Sequence, residues 1–352
     1  MRSGRTLPLL IFIFFAIAIL SEGWNIVRKK SVSYAKYGYI FSIPFVVAFL
    51  VFSLYPIVYT LVIGFTDLRG LGVKEYHFLR TAEGNLDLFG NFRTVLNNKT
   101  FTTSLKNTII LWTANFIPQI SMALLLTAWF TDRNFKVKGQ GAYKILIYMP
   151  NIITAATIAI LFNSLFGYPK GPVNDLLMKL KCIDGPRNFS LQRWTARGVV
   201  SFIQFWMWYG NTMIVLIAGV LGINPSLFEA AEIDGATPTQ IFFRITLPLL
   251  RTILLYVLVT SMIGGLQMFD IPKLFLNGGP DQATITSSMF IHEQAFSGSY
   301  LYNRASAASI IVFGIIIVLS IILFQILKDK DEVARRKYLR AQRKAARRRV
   351  NS

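Results

Sequence analysis

Ser201, Gln204, Trp208 and Asn211 recur at i, i+3, i+7 and i+10 inside an otherwise apolar run. A helix there carries all four on one face. An indole face can stack on a sugar ring, and amides donate to and accept from hydroxyls, so this set suits reversible recognition of a polyhydroxylated solute. Ser261, Gly265 and Met268 share a face of a second apolar run. The plainer alternative is that these polar groups only bond between helices and that Trp206 and Trp208 belong to an interfacial belt. Covalent chemistry has no visible apparatus. No Ser-His-Asp or Cys-His set occurs, Cys182 is the single cysteine, and His77 and His292 stand far apart without ligand-spaced neighbours. No metal site is expected, and acids within the apolar runs are too few for a proton relay.

The elements that must position these residues follow from composition. The chain has 352 residues, of which 53% are hydrophobic and 15% charged. A soluble domain carries about 25% charge, so the pattern indicates a multi-span membrane protein. The net charge of +20 sits largely between and after apolar segments. It therefore reads as membrane topology, with lipid as a partner and no nucleic acid expected. Runs near the ~20 residues needed to cross a bilayer fall at roughly 38–65, 108–130, 145–166, 198–221, 252–276 and 305–327. The expected fold is all-α: a polytopic bundle of six core helices. Pro44, Pro56, Pro118 and Gln119 inside the runs suit a bundle around a pathway, where neighbours re-satisfy the backbone. Asn107, Gln119, Asn151 and Asn163 are expected to serve packing or the pathway. Residues 1–36 form a hydrophobic segment and basic linker, with an extra helix expected at 7–20. Residues 37–327 form the transmembrane domain, and 328–352 a basic tail.

Lys and Arg set the orientation. Segments 28–36, 131–144, 222–251 and 328–352 hold 21 of them, 11 in the last 25 residues, whereas 66–107, 168–197 and 276–304 hold 13. The positive-inside rule places the first group in the cytoplasm, with the C-terminus. The segment 224–250 then forms a cytoplasmic helical hairpin between the fourth and fifth core spans. Ser226 and Glu229 form a capping box, with Asn224-Pro225 as an alternative start. Gly235 stands where a left-handed residue ends the first helix. Thr237 to Gln240 form a second capping box. Ala230 and Ala231 are small enough for another surface to approach closely.

The spacing Glu229-Ala230-Ala231, Gly235, Ile245, Leu247-Pro248 resembles the EAA signature of permease subunits of binding-protein-dependent ABC importers. The resemblance is closest to maltose-type (multiple-sugar) permeases, on the side of the larger of the two paired subunits. "FSLYPIVYTLVIGFTD" (52–67), "SLKNT" (104–108), "GPVN" (171–174), "NGGP" (277–280) and "YNRASAAS" (302–309) extend it over about 37–327. Asn303-Arg304 stand where the family more often has Gly-Tyr. The resemblance implies that residues 226–234 are a coupling helix seated in an ATPase subunit, with Glu229, Ala230, Ala231, Asp234 and Gly235 as its contact set. It also implies a second homologous permease, two ATPase subunits and an extracytoplasmic solute-binding protein. No nucleotide loop G-x-x-x-x-G-K-[ST] occurs here, so ATP and Mg would be held by the ATPase subunits and this chain would carry no cofactor. A gapless alignment from the signature puts the family's solute-contacting positions on Gln204, Met207, Trp208, Asn211, Ser261, Gly265 and Met268. The expected function is therefore a bacterial cell-membrane sugar permease. A carrier of a non-sugar solute such as a glycerol phosphodiester, or a non-transporting receptor or assembly subunit, are the alternatives.

Overall fold

The computed structural model describes residues 35–81, 83–133, 138–298 and 300–327. The helix expected at 7–20 and the tail at 328–352 lie outside the described residues. The chain divides into two compact units, residues 1–58 and 59–352. In the first, α1 (Ala35–Phe49) runs into a π-helical turn (Leu50–Leu54) and the start of α2 (Tyr55–Ile63). Phe41, Phe45 and Phe52 are exposed on it. Proline lacks an N–H and its ring crowds the carbonyl four residues back. The widened turn just ahead of Pro56 relieves that crowding while the helix continues.

In the second unit the described elements are helical, without a strand. Short α3 (Gly90–Leu96) leads into α4 (Lys99–Thr131), whose N-cap Asn98 accepts from the Thr100 and Phe101 amides at 2.9 and 3.2 Å. Then follow α5 (Gln140–Ile152), α6 (Ala155–Leu165), α7 (Pro172–Lys179) and α8 (Arg193–Leu221). The hairpin comprises α9 (Pro225–Ile233) and α10 (Pro238–Ile241), which passes through a π turn (Phe242–Thr246) into α11 (Leu247–Leu249). The last elements are α12 (Arg251–Leu266), α13 (Asp270–Leu276), α14 (Ser287–Phe296) and α15 (Tyr302–Leu327).

Among the described residues, five helical segments are long and apolar enough to cross a membrane, and a sixth crossing exists if one bent pair counts as a span. That pair corrects the continuous span expected at 145–166: α5 and α6 meet at 97°. Ile153 and Thr154 are both extended, and Thr154 Oγ1 accepts from the Thr157 amide at 3.3 Å, so a new helix starts there. The run expected at 252–276 is likewise interrupted between Leu266 and Asp270. The Met268 carbonyl freed by that break accepts from Thr286 Oγ1 at 2.8 Å.

The most extensive helix contact is α4 against α8. Gly210 on α8 lets α5 approach so closely that a Cβ there would lie 2.1 Å from the Ile147 carbonyl oxygen. Three buried apolar clusters follow α4 and α8. One joins Leu111, Phe162, Val200, Ile203 and Ile271; another joins Ala123, Met213, Leu216 and Val257; the third joins Phe101, Met262, Phe290 and Ala308. At the end of the bundle opposite the hairpin, Arg197 donates to Asn107 Oδ1 at 2.6 Å and to the Ala283 carbonyl at 3.0 Å. Asn107 in turn donates to the Gln282 and Ile285 carbonyls, which confirms it as a packing residue. The outward faces stay apolar: Ile109, Ile117 and Leu125 on α4, and Phe313, Ile317, Ile321 and Phe324 on α15. Faces that remain apolar where a soluble fold would be polar fit a lipid surround.

Candidate functional site: a polar cavity and a capped hairpin

A cavity of about 500 Å³ lies between α4, α8 and the α12–α13 break, with Ala155 of α6 at its edge. All seven residues aligned as solute contacts line it: Gln204, Met207, Trp208, Asn211, Ser261, Gly265 and Met268. They arrive by geometry that each helix supplies separately. On α8, residues 204, 207, 208 and 211 occupy one face at i, i+3, i+4 and i+7. On α12, Ser261 and Gly265 are one turn apart, and the break carries Met268 back towards the same space. Met207 and Met268 are buried in the apolar cluster behind the wall. Trp208 is 44% exposed.

Hydrogen bonding separates the polar groups that the protein itself engages, Asn115, Gln119 and Thr212 of the cavity lining among them, from those it leaves open. Ser201, expected on the same face, instead donates to the Leu111 carbonyl at 3.4 Å and does not line the cavity. Gln119 donates to Thr212 Oγ1 at 2.8 Å, Asn115 to the Leu111 carbonyl at 2.9 Å, and Asn151 to the Met207 carbonyl at 3.4 Å. The Gln119 and Asn151 bonds tie α4 and α5 to α8, and the Asn115 bond closes within α4. Among the described residues, no hydrogen bond engages the side chains of Gln204, Asn211 or Ser261, and all three are only partly buried. Their donors and acceptors are open to whatever fills the cavity. Gly265 serves a different purpose. A Cβ there would stand 1.9 Å from Trp112 Cδ1, so its absence seats the Trp112 ring, which stacks on Phe116 at 5.4 Å.

Tyr256, Thr260, Gln267 and Asp270 also line the cavity and were not singled out from the sequence. Asp270 carried a readable signal, an ionisable residue inside an apolar run. Tyr256 and Thr260 lie on regular α12 ahead of Ser261, and Gln267 depends on the break after Leu266, which periodicity does not announce.

The hairpin forms a second constellation. Asn224, not Ser226, caps α9: its Oδ1 accepts from the Ser226 amide at 3.1 Å, with Pro225 at the first helical position. Pro225 contributes no N–H and Asn224 satisfies the next one, so the capping box expected from Ser226 and Glu229 does not form. Glu229 instead pairs with Arg133 Nη2 at 3.2 Å. Gly235 is left-handed, with φ +75°. The Ala236 amide donates to the Ala231 carbonyl at 2.9 Å and the Gly235 amide to the Glu232 carbonyl at 3.1 Å. This is a complete Schellman termination. Thr237 and Gln240 form the expected reciprocal box. Glu229, Ala230, Asp234 and Gly235 are exposed, but Ala231 is buried, so it faces its own chain and is not open to a partner as expected. A hollow of about 870 Å³ lies beside the hairpin, walled by Trp129, Phe130, Phe228 and Phe242, with Lys144 at its side.

Residues 97–330 match the binding-protein-dependent transport system inner membrane component family. The lactose transport system permease protein LacF of Rhizobium radiobacter is 30% identical over 295 residues, covering 83% of this chain and 94% of LacF. The arabinooligosaccharides transport system permease protein AraP of Bacillus subtilis (strain 168) is 30% identical over 316 residues, 87% of this chain and 92% of its own length. A solved bacterial alginate ABC transporter, in complex with an alginate pentasaccharide-bound periplasmic protein, contains a chain that superposes with a TM-score of 0.69 at 25% identity, covering 82% of this chain and 93% of that one. With a family match spanning most of its length and a polar cavity enclosed by a bundle of membrane-length helices, the chain belongs to the inner-membrane components of binding-protein-dependent transport systems, the multi-pass permease subunits of bacterial ABC transporters.

Proposed function

We propose that this permease conducts oligosaccharides or related sugars through the α4–α8–α12 cavity. The observation that carries the reading is a wall on which the Gln204 and Asn211 amides and the Ser261 hydroxyl have no protein partner beside a half-exposed Trp208. Free amides and an indole face are the groups that bind hydroxylated rings. The names of LacF and AraP as lactose and arabinooligosaccharide permeases support the same class. A phosphodiester would need cationic partners, and among the described residues no Lys, Arg or His lines this cavity.

In this reading α9 is the coupling helix. It presents Glu229, Ala230, Asp234 and Gly235 to one of two separate ATPase subunits, which hold ATP and Mg. A second homologous permease completes the pathway, and an extracytoplasmic solute-binding protein docks at the end opposite the hairpin. The hairpin and the C-terminus are cytoplasmic. ATP closes the ATPase pair, draws the coupling helices together and opens the cavity outward.

The test is ATP hydrolysis by the full complex in nanodiscs. Binding protein loaded with lactose or an arabinooligosaccharide should stimulate hydrolysis several-fold over empty binding protein. Hydrolysis indifferent to every sugar-loaded binding protein would favour a receptor or assembly role instead.

A further inference from the structure

Among the described residues, Asp270 is the only charged one that lines the cavity; no Lys, Arg or His accompanies it. It stands at the first position of α13, just after the break that carries Met268 into the wall. Among the described residues it forms neither an ion pair nor a side-chain hydrogen bond, although Lys273 lies one turn further along α13. Asp270 is an exposed residue, and it shares the cavity lining with neutral groups, the polar Gln267, Asn211 and Thr260 among them. Its charge therefore faces solute in the cavity with no cation among the described lining residues to pair with it.

We infer that Asp270 is a charge filter that admits neutral oligosaccharides and rejects those bearing uronate carboxylates. This rests on the sugar reading of the cavity and narrows it. Two carboxylates held within about 4–6 Å at a protein surface repel strongly enough to shift binding on the order of tenfold. Neutral hydroxyls meet no such repulsion and can donate to Asp270. The solved transporter of the same fold is involved in import of alginate, an acidic polysaccharide, so fold alone does not decide solute charge.

The experiment is equilibrium binding to the purified full permease–ATPase complex in nanodiscs without binding protein, so that an upstream filter cannot set the preference. Maltotriose and arabinotriose are the neutral probes and trigalacturonate the acidic one. The wild-type complex should prefer the neutral probes by at least about tenfold. Asp270→Asn, which keeps the side chain's size, should reduce that preference by about tenfold. Raising ionic strength should strengthen trigalacturonate binding to the wild type and leave Asp270→Asn insensitive, a response that a purely structural role would not produce. Neutral binding with an unchanged preference in Asp270→Asn would overturn the filter while leaving the sugar reading intact. Failure of the wild type to bind any of the three probes would overturn both.

Discussion

At the scale of single residues, Asn211 offers the cleanest test of the cavity wall. Asn211→Leu keeps volume and removes only the polar function. Each lost hydrogen bond to a sugar hydroxyl is worth about 0.5–1.5 kcal/mol, so uptake at low solute should fall several-fold, and by different factors for different sugars. Among the described residues no group bonds the Asn211 side chain, so the melting temperature of the complex should stay within about 2 °C of wild type by differential scanning fluorimetry. An equal loss for every sugar together with lower stability would make it a packing residue. Trp208→Ala removes a ring that is 44% exposed, so the void is incomplete and the stability cost should stay below the ~3–5 kcal/mol of a fully packed aromatic. Gly265→Ala should act through stability. Its Cβ would stand 1.9 Å from the Trp112 ring, and overpacking of this kind costs about 1–3 kcal/mol. The gapless alignment listed Gly265 beside Asn211 as equals. Only the packing of Trp112 shows that one seats a neighbouring ring and the other faces open space.

At the scale of elements, the hairpin was legible because capping is local chemistry. Gly235 and the Thr237–Gln240 box are both present where spacing predicts them, and the π turn before Pro248 repeats the device used before Pro56. At the start of α9 the sequence offers two competent caps, Asn224-Pro225 and Ser226-Glu229, and the fold of the chain selects the first. The contact of Glu229 with Arg133 joins residues from different elements, and no local pattern encodes it. Gly235→Val should cost about 1–2 kcal/mol, since a β-branched residue resists φ +75°. No atom lies within 4 Å of where its Cβ would sit, so the penalty falls on the turn alone. The variant should insert normally in the membrane but retain fewer ATPase subunits on affinity purification. The charge-swapped pair Arg133→Glu with Glu229→Arg should preserve the intrachain pair, which is exposed and worth at most about 1 kcal/mol. Retention of the ATPase subunits should nevertheless fall, because the charge presented to the partner is reversed. Full retention would mean that Glu229 serves only its own chain.

At the scale of the whole molecule, hydropathy revealed the membrane-length segments and charge suggested their direction. The bend between α5 and α6 and the break after Leu266 were not legible from hydropathy, because mean apolarity stays high across both; Pro150-Asn151 and Gln267 with Asp270 mark the places but do not specify how the backbone turns. Those two irregularities shape the cavity, so its outline required the fold even though its seven aligned residues did not. Direction is directly testable with the chain's own cysteine. Cys182 is exposed, and a membrane-impermeant maleimide added to intact spheroplasts should label it. In a Cys182→Ser background, Thr239→Cys should react only after the membrane is opened. The reverse pattern would invert the topology and remove the hairpin from the cytoplasm.

The central claim, that the cavity carries sugar under control of an ATPase engaged by the hairpin, meets its most direct test in ATP-dependent uptake of radiolabelled oligosaccharide. Proteoliposomes should contain both permeases, the ATPase subunits and the binding protein, with wild-type, Asn211→Leu and Gly235→Val chains compared side by side. Wild-type vesicles should accumulate sugar only with ATP. Asn211→Leu should lower uptake with basal hydrolysis retained, and Gly235→Val should lower uptake and hydrolysis together. Wild-type accumulation that does not require ATP, or full uptake by both variants in stable complexes, would contradict the account.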